Sequence, residues 1–184
     1  MGLYEKAEPL YWQSKAICEK TFGIEHPSYA ASLSNLGILY LEMSNFEKAE
    51  SLFIESKTII EKTLGKQHPE YASSLKSLSS LYYKMGNYKM AEPLLLESKV
   101  IIEKALGKQH PEYASSLKNL SLVYFKLGNN EKAELLYVDA IDMKKEHIAS
   151  ALHHLSEKEM QQYLLTFEDD IANIASAAHQ MPKS

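Results

Sequence analysis

Several features that point to particular classes of protein are scarce or missing in this chain of 184 residues. Cys18 is the only cysteine, which excludes an internal disulfide and suits a reducing, cytoplasmic compartment. We expect no membrane span, because no apolar run is long enough, and no signal peptide, because Glu5, Lys6 and Glu8 interrupt the first apolar residues. The formal net charge of −4 is too small to favour nucleic acid as a partner.

What the chain does contain is an internal repeat. The segment LGKQHPEYASSLK occurs at 64–76 and again at 106–118, an offset of 42 residues (106 − 64). A looser copy lies one period upstream, where 26–30 matches 68–72. A period of this size indicates stacked units, none of which buries its apolar face alone. A stack of units offers long surfaces rather than a closed pocket, so we expect a binding protein and not an enzyme.

Within each unit, the apolar residues fall into two stripes with helical spacing. The first stripe in the middle unit is Leu75, Leu78, Ser79 and Tyr82, at i, i+3, i+4 and i+7. A Gly-Asn pair at 86–87 then suits the end of one helix and the start of the next. The second stripe lies within 91–102 and begins with an alanine. Each unit therefore predicts a helix pair, and a proline suited to the first helical turn opens each of three complete units: Pro27, Pro69 and Pro111.

The two ends of the chain depart from this period. Residues 2–8 align with 86–92, so residues 1–25 predict a partial repeat that begins at a turn and contains only a second helix. Residues 26–146 contain the three complete repeats. In the remaining part, 147–184, the period is lost, and we expect capping helices and a frayed tail. The run Ser156 to Glu159 is typical of a capping box, and the apolar stripe from Met160 to Ala178 predicts a long helix that covers the last repeat.

The pattern of the helix pair resembles the tetratricopeptide repeat (TPR): leucine, a small residue and tyrosine on the first helix, then alanine and an aromatic residue on the second. The 42-residue length, the His-Pro start and the segments NYKMAEPLLLESKVIIEKALG and HPEYASSLKNLSLVY resemble the longer variant found in kinesin light chains. The resemblance covers roughly 2–145. It implies an all-α, right-handed superhelical solenoid of antiparallel helix pairs. It also implies a concave groove, lined by the first helices, that holds a peptide of a partner protein.

Two alternative functions are suggested by the ends of the chain. The segment LSEKEMQQYLLTF at 155–167 is similar to the segment after such repeats in bacterial proteins that continue into a caspase-like CHAT protease domain. The repeats would then be a regulatory or sensor arm of a larger enzyme, although no catalytic His/Cys pair can be assigned. In the second alternative the chain self-associates as a homodimer, because its first helix has no partner helix to cover Ala7, Leu10, Tyr11 and Ile17.

The candidate groove lies on the face of each first helix next to its buried stripe. The period stacks Lys76 beside Lys118 and Lys84 beside Lys126, with Tyr83 and Phe125 between them. Such a strip suits an acidic peptide with an apolar anchor. The resemblance implies that Asn35 and Asn119 hold the peptide backbone, whereas Ser34 and Ser77 depart from the asparagine-rich family pattern. The predicted peptide-binding residues are Ser34, Asn35, Lys76, Ser77, Tyr83, Lys84, Lys118, Asn119, Phe125 and Lys126.

The histidines do not predict a metal site. Copies in successive units should lie about 10 Å or more apart, as packed helices do. Zinc ligands must converge to about 2 Å from the ion. His147 and its neighbours at 153–154 supply too few ligands. We therefore expect no metal and no cofactor, and a loop-capping role for the histidine that precedes each unit's proline: His26, His68 and His110.

Overall fold

The computed structural model describes residues 2–152, and all of the regular structure in this range is helical. This confirms the predicted all-α class. Helices α2, α4 and α6 are the first helices of the three units and are called A helices below, and the other four are called B helices. The seven described helices are α1 (Gly2–Phe22), α2 (Pro27–Glu42), α3 (Phe46–Thr63), α4 (Pro69–Lys84), α5 (Tyr88–Leu106), α6 (Pro111–Lys126) and α7 (Asn130–Leu152).

Each A helix begins at the predicted proline, and the histidine before it is the N-cap. The Nδ1 atom of His26 accepts a hydrogen bond of 3.1 Å from the backbone N–H of Ser28. His68 and His110 accept the equivalent bond at 3.2 Å. An imidazole nitrogen thus satisfies one of the backbone donors that the first turn of a helix leaves unpaired. The predicted capping role of these histidines is confirmed.

Each A helix joins its B helix through one residue with left-handed backbone. Gly86 and Gly128 have φ angles of 78° and 79°, whereas Ser44 holds this position in the first unit with φ 59°. The asparagine that follows caps the B helix in two units, where the side chains of Asn45 and Asn129 each accept a bond of 3.4 Å from the backbone N–H three residues later. The predicted turn is therefore present in all three units.

Small residues let the two helices of a unit approach closely. A Cβ atom added to Gly37 would lie 2.6 Å from Cε1 of Phe53, too close for two carbon atoms. Across the same contact, the hydroxyl of Ser56 donates a hydrogen bond of 2.8 Å to the backbone oxygen of Ala30. On the B helices the alanine at the crossing is buried in every complete unit: Ala49, Ala91 and Ala133.

Successive units stack because each A helix also packs on the B helix before it. The hydroxyl of Tyr40 donates a hydrogen bond of 2.6 Å to Glu8 on α1, and Tyr82 donates one of 2.7 Å to Glu50 on α3. At the third boundary, burial and the nearby Glu92 carboxylate raise the pKa of Tyr124. These tyrosines are near or within the core, as their spacing predicted, and they also tie each unit to the preceding helix.

The ends differ from the sequence expectation in two ways. The prediction of a turn at Gly2 and Leu3 is wrong, because both residues lie in α1. Helix α7 passes without a break through the expected boundary between 146 and 147. The described helices form one compact unit up to Met143, and Lys144 begins a second unit. The predicted terminal helix from Ser156 onward lies outside the described residues.

Candidate peptide-binding groove

The three A helices lie side by side and form one surface, which we call the A-helix face. Helices α2 and α4 contact each other directly. The Nζ atom of Lys84 lies 2.9 Å from Oε1 of Glu42 on α2, and Lys76 forms an ion pair with Glu112 on α6. Helix α4 is therefore joined to both neighbouring A helices through polar groups on the predicted strip.

All ten predicted groove residues lie outside the buried core. Asn35, Lys84, Lys118 and Lys126 are exposed, and the other six are half-buried: Ser34, Lys76, Ser77, Tyr83, Asn119 and Phe125. The structure places them on the three A helices. The position equivalent to Tyr83 and Phe125 in the first unit is Leu41, which is buried. The aromatic part of the face is thus confined to the second and third units.

The four lysines of the predicted strip fall into two pairs with different surroundings. Lys76 and Lys84 on α4 already pair with Glu112 and Glu42. Lys118 and Lys126 on α6 form no ion pair with any of the residues that the structure describes. The strip therefore carries less positive charge than the lysines alone suggested. Glu42 lies one period before Lys84, so the repeat offset was a signal that could have revealed this pair.

The aromatic residues of the strip lean on the core beneath them. Tyr83 and Phe125 pack against the buried cluster that contains Leu95 and Leu120. The ring of Tyr83 lies 5.3 Å from that of Tyr88 in an edge-to-face arrangement. Burial raises the pKa of the Tyr83 hydroxyl above its ordinary value. These two rings can therefore offer a firm apolar wall rather than mobile side chains.

Two aliphatic residues that the predicted site left out stand exposed on the same face. Ile38 on α2 is 46% exposed and Leu122 on α6 is 40% exposed. Ser80 holds the equivalent position on α4. Leu122 is four residues after Lys118 and three before Phe125, which places the three side chains on one side of α6. The third unit thus presents an exposed leucine and a half-buried aromatic ring between its unpaired cations.

A comparison of the sequence with models of known protein families identifies the same repeated helix pairs. A family model of the tetratricopeptide repeat matches residues 1–56, 40–99 and 78–146. The chain belongs to the tetratricopeptide repeat family. A search of curated protein sequences finds no match for this TPR protein.

Solved structures support the same fold. BtubC (BKLC) from P. vanneervenii superposes with a TM-score of 0.71 at 24% identity, over 79% of this chain and 58% of that one. Two structures of a protein from Podosopora anserina also superpose, and both are described as a putative kinesin light chain with nearly identical TPR-like repeats. Each is 29% identical over 79% of this chain and 69% of that one. The TM-score is 0.66 for the structure of a sequence variant and 0.64 for the other structure. The TPR chain spans 58% of the length of BtubC. Its fold is the all-α TPR superhelix with kinesin-light-chain-like repeats.

The TPR units hold no cluster of metal-binding side chains in the described range, where no three His, Cys, Asp or Glu residues converge. The repeated histidines are used as helix caps. Cys18 is a half-buried free thiol on α1. No helix between residues 2 and 152 is both long and apolar enough to cross a membrane.

Proposed function

We propose that this TPR protein is a protein-interaction scaffold whose A-helix face binds a peptide segment of a partner, and that the peptide is acidic with one apolar anchor. The observation that supports this most directly is on α6. Lys118 and Lys126 are exposed cations without an ion-pair partner among the described residues, and they flank exposed Leu122 and half-buried Phe125. Eight helical residues separate the lysines by about 12 Å along the axis, enough for a short peptide segment between them.

The paired lysines extend this surface onto α4. The Lys84–Glu42 pair is solvent-exposed, with relative side-chain exposures of 41% and 46%. Exposed ion pairs contribute about 0–1 kcal/mol, because water screens them and ordering two long side chains costs entropy. A ligand carboxylate can therefore replace Glu42 at Lys84 at little net cost. The acidic segment would lie across α4 and α6.

Polar side chains beside the lysines can bind the peptide backbone. A primary amide both donates and accepts, so Asn35 and Asn119 match the N–H and C=O groups of an extended chain. The hydroxyl of Ser77 donates a bond of 3.3 Å to the backbone oxygen of Ser73, which leaves its oxygen able to accept. Ser34 is half-buried on the first A helix, one period before Lys76. Backbone contacts of this kind would give affinity, and the lysines and apolar residues would give selectivity.

The test measures binding of a labelled acidic peptide with a single phenylalanine by fluorescence anisotropy. We expect micromolar affinity, roughly −8 kcal/mol, that weakens as salt screens the exposed charges. Reversal of charge in Lys118→Glu with Lys126→Glu should weaken binding by at least about tenfold, or 1.4 kcal/mol. The matched control is Lys62→Glu with Lys104→Glu, two exposed lysines on B helices. Equal affinity of the two double variants, or tighter binding of a lysine-rich peptide, would refute the proposal.

We also propose self-association through α1 as a second function, because this helix exposes positions that α5 buries. Leu10, Tyr11 and Ile17 are 65%, 37% and 57% exposed. Leu95 and Ile101, which hold the positions of Tyr11 and Ile17 on α5, are 2% and 3% exposed. A second copy that covers this side would form a homodimer. The expectation that Ala7 also lacks cover is wrong, since the core cluster of α2 and α3 packs against it.

Sedimentation velocity over a wide concentration range tests this second function. The wild-type protein should show a mass that rises with concentration. The double variant Leu10→Gln, Ile17→Gln should remain monomeric at all concentrations. The control Ile38→Gln, Leu122→Gln removes comparable apolar groups from the A-helix face and should still self-associate. A wild-type mass that stays monomeric at high concentration would refute self-association without affecting the peptide proposal.

A further inference from the structure

One side of helix α1 has the residues with which the other B helices bind the A helix of their own unit. The hydroxyl of Ser56 on α3 donates a hydrogen bond of 2.8 Å to the backbone oxygen of Ala30 on α2. The hydroxyl of Ser98 on α5 donates the equivalent bond, of 3.0 Å, to Ala72 on α4. Serine stands at the same position of α1, and the bulky residues three positions before and after it are also present: Tyr11, Ser14 and Ile17.

No A helix precedes α1 in the described range, so this side of the helix is uncovered. Four of its residues are exposed, and we call them the open side of α1: Leu10, Tyr11, Ser14 and Ile17. The equivalent residues of α5 are half-buried in one case and buried in three: Leu94, Leu95, Ser98 and Ile101. The other side of α1 contacts α2 as a B helix contacts the next unit, for example through Glu8 and Tyr40. Helix α1 is therefore a B helix that lacks one of its two neighbours among the described residues.

The last B helix indicates which kind of helix fits this side. Alanine, leucine and tyrosine stand at positions 7, 10 and 11 of α1, and α7 has the same three residues three periods later: Ala133, Leu136 and Tyr137. Ala133 is buried in a cluster with Leu120 and Val123 of α6, and Leu136 packs against that cluster. The A helix α6 therefore already packs on a B helix with the residues that α1 leaves uncovered.

A helix that covers the open side needs a small residue at the crossing. Gly37 of α2 faces Phe53 of α3 so closely that an added Cβ atom would lie 2.6 Å from Cε1 of the ring. Tyr11 is the equivalent of Phe53 on α1, and Ser121 is the equivalent of Gly37 on α6, where it is buried. A large side chain at this position would hold the incoming helix away from Tyr11. The A helices meet this need with leucine at i and i+3 and glycine or serine at i+4.

We propose that the open side of α1 is a docking surface for an A-type helix of a partner protein, an amphipathic helix with leucine at i and i+3 and glycine or serine at i+4. The hydroxyl of Ser14 would donate to a backbone oxygen of that helix, as Ser56 and Ser98 do within this chain. A second copy has no such helix to offer from the described residues, since each A helix is packed between two B helices. The A-type helix would therefore compete with the self-association proposed above, and only this competition rests on that proposal.

The test uses a labelled synthetic peptide with the sequence of residues 110–127, which contains α6 and its N-cap. Fluorescence anisotropy at a protein concentration that keeps the chain monomeric gives the affinity. A helix of this length is only marginally stable alone, so binding should raise the helical circular-dichroism signal above the sum of the separate spectra. A control peptide with Ser121→Leu overfills the crossing and should bind at least about tenfold more weakly.

Variants of the protein locate the binding surface. Leu10→Gln with Ile17→Gln should weaken binding of the α6 peptide by about tenfold or more. The control Ile38→Gln, Leu122→Gln removes exposed apolar groups from the A-helix face and should leave the affinity unchanged. Ser14→Ala removes only the hydroxyl and should weaken binding about threefold, as expected for the loss of one hydrogen bond. This third variant keeps the test decisive if circular dichroism shows that the glutamine pair disturbs the fold.

Three outcomes would overturn the proposal. The first is the same affinity for the α6 peptide and its Ser121→Leu control, or no binding of either. The second is an equal loss of binding in the α1 variants and the A-helix-face variants. The third is a wild-type dimer that the α6 peptide does not dissociate in sedimentation, because a second copy would then be the occupant of the open side. A wild-type protein that is monomeric without peptide would refute self-association, and the anisotropy measurement alone would then decide on docking.

Discussion

The hydroxyl of Tyr82 donates a hydrogen bond of 2.7 Å to Oε1 of Glu50, across the boundary between two units. The bond to the carboxylate, with burial as the second cause, raises the pKa of Tyr82 to about 12. Tyr40 and Glu8 repeat the same contact one period earlier. A bond that recurs one period apart helps to fix the register of one unit on the next, in addition to the apolar contacts between neighbouring units.

Removal of this hydroxyl should destabilise the fold. Tyr82→Phe leaves the carboxylate of Glu50 without its donor, and a hydrogen bond to a charged group contributes about 1.5–3 kcal/mol, less when water can replace it. We expect a loss of about 1 kcal/mol in the free energy of unfolding, measured by urea denaturation. Tyr88→Phe is the control, since Tyr88 is also half-buried and its hydroxyl has no hydrogen bond in the described structure. Equal stability of the two variants would contradict this role.

The same bond should make stability depend on alkaline pH. The pKa of Tyr82 is raised from about 10 in the unfolded chain to about 12 in the folded protein. The folded state therefore holds this proton more tightly, so the contribution is fully present below about pH 10 and is lost as the pH rises through about 12. Between these values the wild type should lose stability more steeply than Tyr82→Phe in denaturation at a series of pH values. Parallel curves would show that the proton is not linked to folding.

Overpacking the helix crossing should damage the whole fold. Ala91 is completely buried where α5 meets α4. Ala91→Leu inserts three carbon atoms into a filled space and should cost about 1–3 kcal/mol, with a lower thermal midpoint. Pro93→Leu, an exposed change on the same helix, should not lower the midpoint. An unchanged midpoint in Ala91→Leu would mean that the crossing has room that the structure does not show.

The first unit contains a backbone strain that glycine should relieve. Ser44 has φ 59°, a left-handed conformation that costs an ordinary residue about 1–2 kcal/mol, while glycine holds this position in the other two units. The greater freedom of glycine in the unfolded chain offsets about 0.5–1 kcal/mol of this gain. Ser44→Gly should therefore stabilise the protein by about 0.5–1 kcal/mol in urea. The reverse change, Gly86→Ser, should destabilise it, and a Ser44→Gly variant weaker than wild type would contradict the account.

Serines at one repeat position should contribute to the free energy of unfolding only where the hydroxyl has a buried hydrogen-bond acceptor. Ser98 is fully buried and its hydroxyl donates a hydrogen bond of 3.0 Å to the backbone oxygen of Ala72. Ser14 holds the same position on α1 but is exposed, and the described range contains no A helix of its own unit to bond. Ser98→Ala should cost about 1 kcal/mol, whereas Ser14→Ala should be neutral. Thermal denaturation of the two variants measures their stability. An equal loss of stability in both would show that the hydrogen bond to Ala72 contributes nothing.

Features that depend on residues close in the chain were predictable. The start of α4 at Pro69, the cap from His68 and the turn at Gly86 each involve groups within a few residues of one another. Their geometry is set by local backbone sterics and hydrogen bonding. The 42-residue period then placed the same elements in the other units. The fold class and the identity of the A and B helices could therefore be read from the sequence.

The charge of the candidate groove was not predictable to the same degree. Lys76 pairs with a residue 36 positions away, and Lys84 with one 42 positions away. Whether such side chains meet depends on how the A helices are spaced and rotated against one another. The repeat period placed the lysines on one face and Glu42 one period before Lys84, but it gave no sign that Glu112 pairs with Lys76.

The sequence by itself determined the helices, their order and the positions that repeat, because these depend on local propensity and on a period that can be read directly. Only the tertiary structure decided which residues at a repeated position are buried. Ile17 and Ile101 are equivalent in sequence, yet the first is 57% exposed and the second 3%, because only the second has a full set of neighbouring helices in the described range. Burial, ion pairing and open apolar surface depend on what packs against a residue, and these are the properties that make a surface available to a partner.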